Sequence, residues 1–336
     1  MFIPSTFAVA LLMTILSTIC WGSFANTFKG TRNYRFELYY WDYGVGIFLI
    51  SVVLAFTMGS HAGGPTAFLA NVRLATDTAL LYAAVGGFVF NIANVLLIAA
   101  IEMVGLAIAF PLAIGIALVE GTVVSYLIHP AGNATLLFSG LGMALVAVIF
   151  IGFAYASRGD HGAVPTRKGI IVCLLSGVLM GSWAPLLAKS FAGTGVSDGS
   201  AVMIGGLTPY TGAVLMTLGA FLCCFVFNPI LMRKPLIGAP ITMAGYFNAP
   251  RSYHVWGLLG GCIWGLGTTL NLVAGGKVGL PISYAIGQAS PMVATLWGVF
   301  AWKEFAGARP KAKVYLALMF ASYVLALVLI ARAYAA

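Results

Sequence analysis

The chain has 336 residues, of which 61% are apolar and 7% charged, with a mean hydropathy of +1.01. A soluble domain carries about 25% charged residues, so this composition excludes an ordinary water-soluble fold and makes a lipid bilayer the solvent. The net charge of +9 comes with no basic patch interleaved with aromatics, so it gives no support to nucleic acid as a partner.

A membrane-crossing helix needs roughly 20 predominantly apolar residues. By that measure the sequence predicts ten spans, at 5–28, 41–59, 78–101, 105–128, 135–156, 169–190, 208–232, 254–276, 280–302 and 312–334. The first reads as a retained span, because it lacks a basic leader and Cys20-Trp21-Gly22-Ser23 is not a small-residue cleavage site. The runs are too long and too continuous for lipid-facing strands, which alternate. The expected fold is therefore an all-α membrane protein. The five cysteines fall inside spans with no C-x-x-C pair, and are expected to be small buried apolar residues.

Basic residues orient such a chain. The loops after spans 1, 5, 7 and 9 hold 13 of the 17 Lys and Arg residues, whereas Arg73, Lys189, Lys277 and Arg332 make up the remainder. The positive-inside rule then predicts a multi-pass protein of the cell (inner) membrane with both termini outside the cytoplasm.

The two halves of the chain resemble each other. Shifting residues 86–112 by 174 lays them on 260–286 with eight of 27 positions identical, among them Gly86/Gly260, Gly87/Gly261 and a shared Val-Gly-Leu at 104–106 and 278–280. A weaker echo, at a shift of 159, links Gly22-Ser23-Phe24-Ala25 to Gly181-Ser182-Trp183-Ala184. The expected organisation is a first repeat over 1–160 and a second over 161–336, integrated into one membrane domain. Five spans is an odd number, so the second repeat enters upside down. Inverted repeats are the architecture of alternating-access transporters, with the substrate site at the midplane.

Polar residues inside lipid are costly and normally face a cavity or a partner. Asn91 and Asn94 share a face of span 3; Trp264, Thr268 and Asn271 share a face of span 8; Tyr284, Gln288 and Pro291 share a face of span 9. Asn26 lies with Ser23 and Thr27 on span 1, and Trp183 stands in the matching segment of span 6. The predicted substrate-binding set is thus Asn26, Asn91, Asn94, Trp183, Trp264, Thr268, Asn271, Tyr284 and Gln288. Amides, hydroxyls and rings with few charges suit a small neutral hydrogen-bonding molecule, a sugar or a ureide or nucleobase-like heterocycle. An interhelical hydrogen bond is the structural alternative for any one of these residues.

Glu120 is the ionisable residue set deep in a span. An ionised carboxylate is expensive there, which makes Glu120 the candidate proton carrier, with a carboxyl tied to a neighbouring hydroxyl as the structural alternative. Histidines 61, 129, 161 and 254 stand at loops or helix ends, so a buried histidine relay has no support. Catalytic triads, metal-ligand spacings and phosphate loops are not found, so neither an enzyme, a metal nor a cofactor is expected.

Several segments together resemble a known family. They are Trp21-Gly22-Ser23, Tyr40-Trp41-Asp42-Tyr43, Gly86-Gly87 with Asn94, Val104-Gly105-Leu106, and Gly287-Gln288-Ala289-Ser290-Pro291 with Trp297-Gly298-Val299 and Lys303-Glu304. In a five-plus-five arrangement these are similar to the drug/metabolite transporter superfamily, and within it to the ureide permease and glucose/ribose-porter branches. The resemblance implies secondary active uptake of allantoin-like ureides, nucleobases or sugars, often driven by protons. Glu120 belongs to none of these segments. A broad-specificity exporter of small metabolites or drugs, and a non-transporting membrane scaffold, are the competing readings.

Overall fold

In the computed structural model, residues 1–32, 34–158, 166–192 and 205–335 are described, and no strand occurs among them. The expected repeat boundary at 160/161 and His161 lie outside the described residues. Among the described residues, nine helices are long and apolar enough to cross a membrane. They include α1 (Phe7–Ser23), continued by a 3-10 turn over Phe24–Gly30, and α2 (Phe36–Phe56). Then come α3 (Asp77–Val104) and α4 (Gly115–Ile128), the latter entered through a π-helical turn at Phe110–Ile114. Next are α5 (Ala134–Ala156), α6 (Arg167–Phe191), α7 (Pro209–Arg233) and α8 (Arg251–Val278).

The ninth expected span, 280–302, is a broken helix. It comprises α9 (Leu280–Gly287), a turn at Gln288–Ala289, α10 (Ser290–Leu296) and a π-helical turn at Trp297–Ala301. Pro291 explains the break: it has no amide hydrogen to give the Gly287 carbonyl, and its ring crowds that carbonyl. The chain ends in α11 (Pro310–Ala335).

Local chemistry starts these helices where the sequence puts a side-chain cap. Thr6, Thr76, Asn133, Thr166 and Thr208 each accept a hydrogen bond from the amide three residues on. Such a cap is worth about 1 kcal/mol. Helices α3 and α8 are each 28 residues long, and 251 and 278 lie 174 beyond 77 and 104. Both stop at a glycine in the left-handed region, Gly105 at φ 76° and Gly279 at φ 91°, a conformation that penalises any side chain.

Packing follows the same correspondence. Helix α3 packs chiefly on α6 and α7, and α8 chiefly on α2 and α1. Gly87 and Gly261 make the close approach: a Cβ on Gly87 would collide with the Met216 carbonyl of α7, and one on Gly261 with the Tyr43 carbonyl of α2. Small residues drive packing in lipid by letting backbones touch. Helices α5 and α11 form a separate apolar pair at the side, with Val148 and Ile151 against Met319 and Tyr323.

The connecting segments gather at two ends. At one, Lys29 and Arg158 both reach Glu304, and Arg35 donates to the Ala239 carbonyl, which unites the segments after α1, α5, α7 and α10. These are the segments rich in Lys and Arg, so this is the basic end. At the opposite end, Asn71 bonds Gly206 and Thr208, and the Asn133 amide bonds the Ala333 carbonyl.

Candidate functional site

Five large rings from five different helices meet at the centre: Trp21 (α1), Phe90 (α3), Trp183 (α6), Trp264 (α8) and Tyr284 (α9). Trp264 stacks on Phe90 with centroids 4.4 Å apart and lies nearly parallel to Trp21 at 6.2 Å. Trp183 stands edge-on to Trp21 at 6.2 Å, to Phe90 at 6.1 Å and to Tyr284 at 5.5 Å. All five are at least nine-tenths buried. Offset and T-shaped ring pairs are favourable geometries, worth about 0.5–1.5 kcal/mol each beyond burial.

Sequence reasoning named Trp183, Trp264 and Tyr284 but missed Trp21 and Phe90 as site residues. Phe90 had a signal, because it is the position that a shift of 174 lays on Trp264. Trp21 sat in a quoted motif, but no spacing within α1 linked it to rings on other helices.

Polar groups frame the rings. The Trp21 indole N–H donates to the Thr268 hydroxyl at 3.1 Å, and Thr268 donates to the Trp264 carbonyl. Asn94 donates to the Tyr40 hydroxyl at 3.0 Å. Asn271 donates to the Ser283 carbonyl at 2.9 Å, bracing α8 against α9. The Tyr284 hydroxyl donates to the Ala117 carbonyl at 3.1 Å, tying α9 to α4. Asn91 is fully buried; its oxygen accepts a weak bond from the Cys224 thiol, while its nitrogen has no partner among the described residues. Gln288 is 9% exposed at the break between α9 and α10; its backbone N–H donates to the Tyr284 carbonyl, while its side-chain amide makes no hydrogen bond among the described residues. The Trp21 ring lies against neighbouring Gly287.

Glu120 is half-buried on α4. It accepts a 2.8 Å hydrogen bond from the Ser182 hydroxyl, and its carboxylate rests on Gly181. Gly121 beside it abuts the Tyr284 ring, so Glu120 adjoins the aromatic layer.

Asn26 lies apart from this group. It belongs to the 3-10 turn after α1, where its oxygen accepts from the Trp302 indole at 2.6 Å and its nitrogen donates to the Ser23 carbonyl. Around it the Trp297 indole donates to Ser23, and Lys29 pairs with Glu304 at 2.8 Å while lying over the Trp302 ring. Tyr155 also donates to Glu304. These contacts tie the end of α1 to the segment after α10.

Two cavities flank the centre. One, of about 400 Å³ at the basic end, is lined by Tyr34, Arg35, Glu37 and Glu102 among α2, α3 and α7. Arg35 there is committed to both oxygens of Glu37, and that bond holds its guanidinium proton more tightly than usual. Burial, and then the Asp42 charge, push the Tyr34 phenol up to about 12, so it stays neutral. The other cavity, of about 440 Å³, opens at the opposite end between His129, Thr208, Gly276 and Leu280, and reaches Leu272 beside Asn271. None of the nine predicted ligand residues lines either cavity.

Comparison with known proteins agrees with this architecture. The chain matches the ureide permease family over residues 39–164 and 163–333. It is 22% identical to "Ureide permease 4" of Arabidopsis thaliana, covering 98% of each chain, and 25% identical to "Ureide permease 5" of the same plant, covering 88% of this chain and 87% of that one. A "Putative sugar uptake protein" of Streptococcus agalactiae is 24% identical over 67% of this chain and 69% of its own. One protein of known crystal structure superposes with a TM-score of 0.65 at 14% identity, covering 97% of this chain and 98% of its own, which shows a shared fold. Whole-length relatives named as permeases and a bundle of apolar helices identify a multi-pass membrane transporter of small solutes, and the chain belongs to the ureide permease family.

Proposed function

We propose that this protein is a secondary active transporter that takes up a small neutral polar solute by alternating access. The observation that carries the reading is the central layer of five rings beside the uncommitted Gln288 amide, set at a break in a membrane helix. Rings give an apolar face to stack on, a free side-chain amide reads a hydrogen-bonding edge, and the five rings themselves carry no formal charge, which favours neutral ligands. Discontinuous helices near the midplane are where transporters of inverted-repeat type hold their substrates. The relatives named for ureides and for sugar uptake define the candidate solutes.

Ten crossings in two inverted repeats form the framework of this proposal, with 280–302 as the broken crossing. Three features support it: the matched limits of α3 and α8, the matched glycine contacts of Gly87 and Gly261, and the stacking of Phe90 on its counterpart Trp264. Residues related by a two-fold axis meet at that axis, which is where a shared site belongs. With the basic end in the cytoplasm, both termini lie outside.

Glu120 is the proposed proton carrier because it is half-buried beside the ring layer; the hydrogen bond it accepts from Ser182 is what the structural alternative, a carboxyl tied to a neighbouring hydroxyl, would use. Uptake by purified protein in liposomes under an imposed proton gradient tests this. Glu120→Gln keeps the shape but cannot titrate, so accumulation against a gradient should be lost while downhill exchange persists. Undiminished uphill accumulation by that variant rejects the coupling role.

A further inference from the structure

We propose that Asn91 and Tyr43 form a polar subsite of the solute site, between α2, α3 and α7, that takes an acceptor oxygen of the ligand. The inference rests on the transport reading above and adds a residue, Tyr43, and a ligand feature to it.

The Asn91 nitrogen and the Tyr43 hydroxyl are both buried and have no hydrogen-bond partner among the described residues, their residues being 0% and 1% exposed. Polar groups left bare in a protein interior are rare, and each calls for an explanation. Six other buried side chains share this condition: Ser17, Tyr34, Trp41, Thr122, Ser125 and Tyr323. Serine and threonine hydroxyls can turn back onto their own helix carbonyls. Tyr34 and Trp41 stand at the basic end of α2, and Tyr323 belongs to the lateral pair of α5 and α11. Asn91 and Tyr43 are different, because Asn91 adjoins Phe90 of the ring layer, Tyr43 belongs to the same apolar cluster as the rings, and neither donor meets a backbone carbonyl among the described residues.

They flank one residue. Asn91 accepts from the Cys224 thiol, and Gly44, next to Tyr43, packs against that same sulfur. Tyr43 lies 5.0 Å from Tyr40, which already receives the Asn94 amide, and 5.6 Å from Phe24. Asn91 follows Phe90, which stacks on Trp264. Asn94 donates to Tyr40, whereas the Asn91 NH2 group and the Tyr43 hydroxyl are left without a partner among the described residues. An amide nitrogen can only donate, so its ligand partner is an acceptor, and the acceptor common to the candidate solutes is oxygen: a carbonyl of a ureide or nucleobase, or a hydroxyl of a sugar.

Bare groups that await a ligand have a distinctive signature. Removing them should leave the empty protein as stable as before or more so, yet weaken ligand binding by roughly 5- to 150-fold, because the ligand oxygen then goes unmet. Tyr43→Phe is the leading variant, since it deletes one oxygen and keeps the ring; Asn91→Leu is the second. Tyr323→Phe is the control for a buried bare hydroxyl away from the site, and Gln288→Ala the control for the site itself. Each purified variant is titrated with a ureide, a nucleobase and a hexose while its thermal midpoint is followed. The expected result is weaker binding at unchanged or raised ligand-free midpoint for the first two and parental affinity for Tyr323→Phe, with the ureide and nucleobase arms identifying a carbonyl and the hexose arm a hydroxyl. Parental affinity in Tyr43→Phe and Asn91→Leu alongside lost affinity in Gln288→Ala overturns the subsite and leaves the transport reading standing. A lower ligand-free midpoint in both variants also overturns it, because the groups were then partnered in the empty protein. Failure of the parent to bind any of the three solutes removes both proposals.

Discussion

The two ends of this protein are built from different chemistry. At the basic end, charged side chains and indoles join helices: Glu304 collects Lys29, Arg158 and Tyr155, and two tryptophans seal Ser23 and Asn26. At the opposite end the ties run through backbone carbonyls and Asn71, and an apolar, glycine-walled cavity remains open toward Leu272. Among the described residues, no ion pair is found between the side chains that line this cavity.

Breaking the scaffold that both ends share should have the largest effect. Gly261→Val forces side-chain carbon into the Tyr43 carbonyl, and overpacking against a rigid backbone costs about 3 kcal/mol. A marked fall in thermal midpoint is expected, whereas Gly142→Ala, where a Cβ meets nothing within 4 Å, should leave it unchanged. Equal midpoints for both would mean that the α2–α8 seam can open to take the added carbons.

Gln288→Ala sharpens the comparison from the centre. If solute reaches the break in the helix from the cavity end, losing this amide should weaken binding by roughly 5- to 150-fold, equivalent to about 1–3 kcal/mol, with little change in stability. Unchanged affinity in titration calorimetry would remove Gln288 from the site.

The latch at the basic end should respond more modestly. The Lys29 and Glu304 side chains are 42% and 24% exposed, and exposed pairs are worth at most about 1 kcal/mol. Glu304→Gln should therefore raise hydrogen exchange in the turn Phe24–Gly30 by up to roughly fivefold, with high salt producing part of the same change in the parent. Exchange that ignores both variant and salt would show that the indole bonds alone close this end.

Much of this was legible in the sequence, for identifiable reasons. Long apolar runs announced the helices, and the shared Val-Gly-Leu marked the turns at which α3 and α8 stop, whereas the expected spans 78–101 and 254–276 fell short of the matched 28-residue lengths. Helix α2 begins at Phe36 rather than 41, because Glu37 reads as loop until Arg35 is seen to neutralise it. Span 9 read as continuous, since apolar composition outweighed Pro291, yet the chain breaks at Gln288–Ala289. Asn26 was grouped with the ligand residues on a period of 3.6. The chain instead tightens to a 3-10 turn after Ser23, and three residues per turn point its amide elsewhere. The partnership of Trp21 and Phe90 with Trp264 depends on which helices pack together, and no local period carries that information.

The most direct test of the central site is a thermal-stability screen of the purified protein against ureides, nucleobases, sugars and cationic dyes. A ligand at 100 times its dissociation constant stabilises the folded state by about 2.7 kcal/mol. The expected result is a concentration-dependent rise in midpoint with a neutral solute, abolished in Gln288→Ala. Stabilisation by cationic dyes alone, or by neutral solutes equally in parent and variant, would contradict a neutral-solute site at the ring layer.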